Sequence, residues 1–278
     1  MAMAVLDDRA VVRVAGAEAH GFLDRLLTNR VPAPGEASFA ALLSPQGKIL
    51  ADMILTAAPD EVRLELPRVL MADLLKRLAL YRLRARIEIA PLDGLAVVVV
   101  WDEAADGAVP DPRLKGLGAR LHLPQADAQA RADATAADWH AHRIALGVPE
   151  GGRDFAYGDA FPHEADMDQL NGIDFTKGCY VGQEIVSRMQ HRGTARTRII
   201  PFAVCGAPPP PGTEIVAGGK SIGRLGSGVD GRVLASVRLD RIEDARAAGH
   251  NIEADGTALV PEKPEWARFA IPGTESAA

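Results

Sequence analysis

The chain has 278 residues, is 47% hydrophobic and 24% charged, and carries a formal net charge of -6 with a pI of about 5.7. It is long enough for about two domains and apolar enough to bury a large core, which excludes a wholly disordered chain. The acidic balance argues against a protein built to coat nucleic acid or an anionic membrane, though not against a local basic pocket. Two cysteines, Cys179 and Cys205, make no disulfide framework and cannot supply an all-cysteine, four-ligand zinc or iron–sulfur site. The first residues lack a basic n-region, and the longest apolar run, Leu95 to Trp101, is far short of a membrane span. The expectation is a cytoplasmic protein with no direct nucleic-acid or membrane partner.

In chain order, Leu6 to Val14 reads as a strand. Ala17 to Thr28 reads as a helix with Phe22, Leu23, Leu26 and Leu27 on one face. Pro32 to Gly35 is a turn. Phe39 to Leu43 and Ile49 to Leu55 form a strand pair across Ser44-Pro45-Gln46-Gly47. Val62 to Leu66 is another strand, and Pro67 opens a helix to about Leu80, striped by Leu70, Leu74 and Leu78. Arg82, Arg84 and Arg86 alternate with Leu83, Ala85 and Ile87, which predicts a strand with three arginines on one face. Val97 to Val100 is a short buried strand, and Asp106 to Leu123 is loop-rich. Asp133 to Leu146 is helical, ending at Gly147 with Pro149 beyond, and Val181 to about Gln190 is a further helix.

The composition changes near Arg196. The proline run Pro208 to Pro211 is followed by short strand candidates: Thr213–Ala217, Ser221–Gly226, Val233–Leu239, Thr257–Pro261 and Trp266–Ile271. These read as a small β-barrel. The expected domains are therefore 1–195, an α+β region, and 196–278, the barrel. Strands of the first region often follow one another without helices, which favours α+β with antiparallel sheets over a doubly wound fold.

Several motifs carry chemistry. AGGKS, from Ala217 to Ser221, has the tail of a phosphate-binding loop, but Glu214 stands where that motif needs glycine and a strand follows, so it reads as a hairpin turn. In TKGCYVGQE, Gly178 and Gly182 bracket Cys179. With a helix starting near Val181 and Lys177 close by, the thiolate form is favoured, while Glu184 opposes it. The residues leave both a working thiol and a buried, inert cysteine open. Lys177, Arg188, His191, Arg192, Arg196 and Arg198 face only Glu184 in their segment. With Arg82, Arg84 and Arg86 they are a candidate lining for an anion-binding cleft, against a solvated charged face. Trp139 and Arg143 lie four apart on one helix, which suits a planar anionic ligand or a plain core tryptophan. His163, Glu164, Asp166 and Asp168 match no metal-ligand spacing and read as loop residues; no metal site is expected.

KGCYVGQE, with Gln169 to Phe175 before it, resembles the signature of the YgfZ family, folate-binding relatives of the glycine-cleavage T-protein in the GcvT superfamily. The likeness runs through LDDRAVVRVAGAEAHGFLDRLLTN, LLSPQGKILADM, WHAHRIALGVPEGG, GKSIGRLGSGV and the later PEW. It implies two interleaved α+β lobes with antiparallel sheets and a C-terminal β-barrel, arranged around a central hole for tetrahydrofolate. It implies that Cys179 and Lys177 are the signature cysteine and lysine. Trp139 and Arg9 fall at positions linked to folate, with Arg143, Tyr180, Gln183 and Glu184 as further candidate contacts. Two departures weaken the case for aminomethyl transfer: Ala145 replaces an acid of the T-proteins, and Ala51-Asp52 stands for their paired aspartates.

The resemblance thus implies a tetrahydrofolate-binding accessory factor for assembly or repair of [4Fe–4S] proteins, including tRNA-modifying radical enzymes. Its partners would be folate, the iron–sulfur assembly machinery and its client proteins, with an iron–sulfur cluster bound only in transit. The alternatives are a folate-dependent aminomethyl or one-carbon transferase and a non-catalytic folate-sensing regulator.

Overall fold

The computed structural model describes residues 2–103, 105–193 and 195–274. The chain divides into two compact units, each built from two segments: Met1–Trp139 with Leu170–Ile185, and His140–Gln169 with Val186–Ala278.

The first unit holds β1 (Ala2–Val5), β2 (Arg9–Ala15), α1 (Ala19–Asp24), β3 (Ala37–Leu43), β4 (Ile49–Ala58) and β5 (Glu61–Pro67). After these come α2 (Met71–Arg82), β6 (Glu88–Pro91), β7 (Leu95–Trp101), β8 (Val109–Pro110), β9 (Ala119–Pro124) and α3 (Gln125–Arg131). The strands form a five-stranded sheet, β3-β4-β5-β2-β6, and a four-stranded sheet, β1-β7-β9-β8, with every pairing antiparallel. Period-two alternation sends Val12 and Val14, Ala40 and Leu42, Met53 and Leu55, and Leu64 and Leu66 to one face. There they bury Phe22 and Leu23 of α1 and Leu74 and Leu78 of α2. The same alternation directs Glu65, between Leu64 and Leu66, to the opposite face.

In this unit the expected strand from Leu6 to Val14 is two strands. Arg9 N–H bonds Leu6 O in a turn, β1 pairs with β7, and β2 joins the other sheet. One apolar run therefore serves two sheets. The first helix ends at Asp24 rather than Thr28, because Thr28 is drawn into a bridge to the Ala41 N–H. The arginine-bearing strand is also corrected. α2 runs to Arg82, Leu83 turns the chain at φ 46°, and Ala85 N–H closes a turn on Arg82 O. Arg82, Arg84 and Arg86 share no strand face, since the next strand starts at Glu88. The stretch read as loop contains β8 and β9.

The unit boundaries fall within α4 (Ala136–Ala145) and α5 (Gln183–Arg192). The second unit then holds β10 (Thr197–Ala203), β11 (Glu214–Ala217), β12 (Lys220–Val229), β13 (Arg232–Arg238), α6 (Leu239–Ala247), β14 (Ile252–Ala254), β15 (Thr257–Ala258) and β16 (Val260–Pro261). Their order is β15-β14-β11-β12-β13-β10-β16. The two edge strands are separated in the chain only by Leu259, so the sheet curls into a near-closed barrel. Ile200, Phe202, Ile215, Leu225, Val233 and Ala235 fill it, with Ile242 of α6 packed against them. Gly218 and Gly219, both at positive φ, make the two-residue turn between Ala217 and Lys220, the hairpin expected at AGGKS. Trp266 to Ile271 forms no strand; the Trp266 indole N–H instead bonds Leu146 O. The expected fold class, α+β with antiparallel sheets and a C-terminal β-barrel, stands.

Candidate functional site

Residues 171–182 carry no regular helix or strand, yet they are held tightly to the segment Leu27-Thr28-Asn29-Arg30. Thr28, fully buried, donates its hydroxyl to Gly172 O at 2.7 Å, and Asp174 N–H bonds Thr28 O. Asn29 donates its side-chain amide to Asn171 O at 2.8 Å. Asp174 Oδ1 accepts the Thr176 N–H, the Thr176 hydroxyl and the Lys177 N–H, while Oδ2 receives Arg30 Nε. Burial would raise the Asp174 carboxyl, but the bonds from Arg30 and Thr176 outweigh it and hold it at about 2.

Lys177 is buried, and its ammonium donates to Leu27 O at 2.7 Å and Asn29 O at 2.9 Å. It also lies 5.4 Å from the centre of the Tyr180 ring. Burial pulls its pKa below the usual lysine range, with Asp24 and Asp174 opposing. Burial pushes the Tyr180 phenol up to about 12. Between these two buried residues, Gly178 and the Cys179 thiol are exposed. The helix behind them starts at Gln183 rather than Val181, after a turn in which Gln183 N–H bonds Tyr180 O. Gln183 is half-buried and Glu184 exposed. The loop thus presents one reactive side chain on a backbone fixed at both flanks.

Two glycines make this possible. Gly182 has φ +82°, and a Cβ there would lie 2.7 Å from Ser44 O, in the turn joining β3 to β4. Gly47, in the same turn, has φ +80° and faces Ile185 and Gly182. The signature loop therefore seats directly on the first hairpin. Gly182→Ala is expected to cost about 1–3 kcal/mol of stability, read by urea denaturation; an unchanged midpoint would contradict this contact.

A second cluster lies in the first unit, on the side of the five-stranded sheet away from its apolar core. Arg9 Nε sits 2.8 Å from Glu65 Oε1, and Arg120 binds both Glu65 and Asp111. Arg113 chelates Asp111, and His122 stands 3.4 Å from Glu65. Arg120 lies 5.6 Å from the Trp139 ring, and Trp101 lies 5.8 Å from it. Arg9 and Trp139, assigned to folate by resemblance, are thus joined through Glu65 and Arg120, which sequence reasoning had not singled out. Glu65 alternates with Glu61 and Arg63 on the polar face of β5, so nothing in the strand itself marks it as buried. Trp139 is only 1% exposed and Arg9 7%.

In the second unit, Arg143 is 1% exposed and binds Asp154 at 2.7 Å, Val148 O and the Ser227 hydroxyl. It ties the 148–154 loop to β12. Arg198, expected in a cationic cleft, is instead buried against Asp166 and Asp168 and stacks 4.6 Å from Phe269. Burial pushes the Asp166 carboxyl well above its ordinary range, with Arg198 opposing. Lys177 and Arg198 thus leave the expected cationic patch, Arg196 faces Asp240, and Arg86 pairs with Glu18. Among the described residues no group of three or more His, Cys, Asp or Glu side chains is placed to hold a metal ion.

Residues 196–269 match the family described as CAF17, C-terminal beta-barrel domain. The chain is 32% identical over 303 residues to the human iron-sulfur cluster assembly factor IBA57, mitochondrial, covering 94% of this chain and 84% of that protein. It is 33% identical over 230 residues to the Neurospora crassa IBA57 homolog, covering 70% and 52%. Its fold is similar to the crystal structure of glycine cleavage system aminomethyltransferase T from Bartonella henselae, with a TM-score of 0.76 at 15% identity over 94% and 84% of the two chains. Both IBA57 relatives are named as mitochondrial, which overturns the cytoplasmic expectation. That expectation rested on composition and cysteine usage, which report a reducing compartment and not which one. The YgfZ resemblance resolves to a related family: the chain belongs to the IBA57 family of iron–sulfur cluster assembly factors.

Proposed function

We propose that the chain serves the assembly or repair of [4Fe–4S] proteins through Cys179, whose thiolate is a transient ligand to a cluster in transit. The observation that carries this is the exposed Cys179 thiol held between buried Lys177 and Tyr180. A soft thiolate suits iron–sulfur ligation, and a fixed backbone presents it without an ordering cost at each encounter. One thiolate cannot saturate a cluster. The other ligands come from a partner, either the assembly machinery or a client such as a tRNA-modifying radical enzyme. Both relatives are named as mitochondrial, which supports a mitochondrial setting for this activity.

Tetrahydrofolate is the proposed small-molecule ligand on the family resemblance alone. Trp139, Arg9 and Arg143 offer it no open face as placed, being at most 7% exposed and engaged by Arg120, Glu65 and Asp154. As placed, these three residues do not fit the group. Calorimetric titration decides it: saturable heat supports folate binding, and absence of heat removes folate from the account.

Cluster ligation is tested by anaerobic reconstitution with ferric iron, sulfide and glutathione, which reduces part of the iron and serves as the external thiol, followed by desalting. The protein fraction of the wild-type chain should retain thiolate-to-iron charge-transfer absorption, and that of Cys179→Ser should lose it. Equal absorption from both would return Cys179 to a structural role.

A further inference from the structure

The exposed end of α2 lies outside the Cys179 loop and the segment that anchors it. From Leu74 to Ile87 the chain contains Lys76, Arg77, Arg82, Arg84 and Arg86 and no acid, although the whole chain is net -6. Arg86 is engaged by Glu18. The other four are exposed, and none makes a side-chain hydrogen bond or ion pair among the described residues. Amid them stand Leu80, 76% exposed, Leu83, 87% exposed, and Tyr81. These are three of the six large hydrophobic residues exposed among the described residues. Leu83 is held out at φ 46° and ψ -106°, a backbone conformation that leucine rarely adopts.

We propose that this helix end attaches the protein peripherally to an anionic phospholipid surface. Stable protein interfaces bury about 800 Å² per partner around an apolar core. Three protruding side chains fall short of that. They match interfacial attachment, where a few apolar side chains enter the acyl boundary, a tyrosine sits at headgroup level, and flexible cations reach lipid phosphates. The expectation of no membrane partner came from the whole-chain charge. At physiological salt the Debye length is about 8 Å, so distant acids are screened while these four cations act locally.

The test is flotation of the full chain with vesicles of phosphatidylcholine alone and of phosphatidylcholine with cardiolipin. The bound fraction should rise at least about tenfold with cardiolipin and fall as salt is added. Arg82→Glu/Arg84→Glu and Leu80→Asp/Leu83→Asp should each remove binding while leaving the melting temperature unchanged, since all four residues are exposed. No flotation with cardiolipin vesicles overturns the proposal. So does binding that both double variants retain, since the lipid contact then lies elsewhere on the chain. Neither result touches the Cys179 reading, which cluster reconstitution reports separately.

Discussion

Glu65→Ala is expected to destabilise the protein by about 3–5 kcal/mol, read as a lowered urea midpoint. The Glu65 side chain is fully buried, and Arg9, Arg120 and His122 all point at its carboxylate. Removing the acid leaves two buried guanidinium groups without that counter-charge. An unchanged midpoint would mean that water or another acid already satisfies them. The same residue predicts a pH dependence. Burial alone would raise its carboxyl, but Arg120 and Arg9 outweigh burial and hold it at about 2, against an ordinary 4.5. A depressed folded-state pKa gives stability that is complete above the unfolded value and is lost as pH falls toward the folded one. The wild type should therefore lose about 3 kcal/mol between pH 5 and pH 2 from this site. Glu65→Gln should lack that slope.

Trp139→Ala is the second large effect, with an expected loss of about 3–5 kcal/mol. The ring is 1% exposed, with Trp101 at 5.8 Å and Arg120 at 5.6 Å, so truncation opens a cavity beside a buried charge. The same Ala variant separates the two roles the sequence left open. A tetrahydrofolate affinity weaker by about 1–3 kcal/mol, the scale of alanine substitution at a stacked ring, would put the pterin on the ring. Lowered stability with unchanged affinity leaves it in the core.

Local signals in the sequence proved strong where a single element satisfies itself. The β3–β4 hairpin, the glycine stop after α4 and the Gly218–Gly219 turn follow from alternation and turn chemistry. Alternation misled at Arg82 to Ile87, where helix continuation and a left-handed leucine displaced the expected strand. α6 and β10 went unread because each is stabilised by the barrel core it packs into. The candidate site divides in the same way. KGCYVGQE marks the cysteine loop plainly. Its anchors Leu27 and Asn29 lie about 150 residues earlier, and no short-range pattern links a lysine to two distant carbonyls. Glu65 and Arg120 were hidden likewise, since only the facing of two sheets brings them together.

The thiol of Cys179 is the group on which the proposed cluster ligation rests. The decisive measurement is complementation by Cys179→Ser in cells lacking the endogenous factor, with the activity of a [4Fe–4S] tRNA-modifying enzyme as readout. Protein level and melting temperature are matched to wild type. The variant should fold normally while the activity of that enzyme collapses. Full client activity from a normally folded Cys179→Ser protein would contradict the proposed ligation.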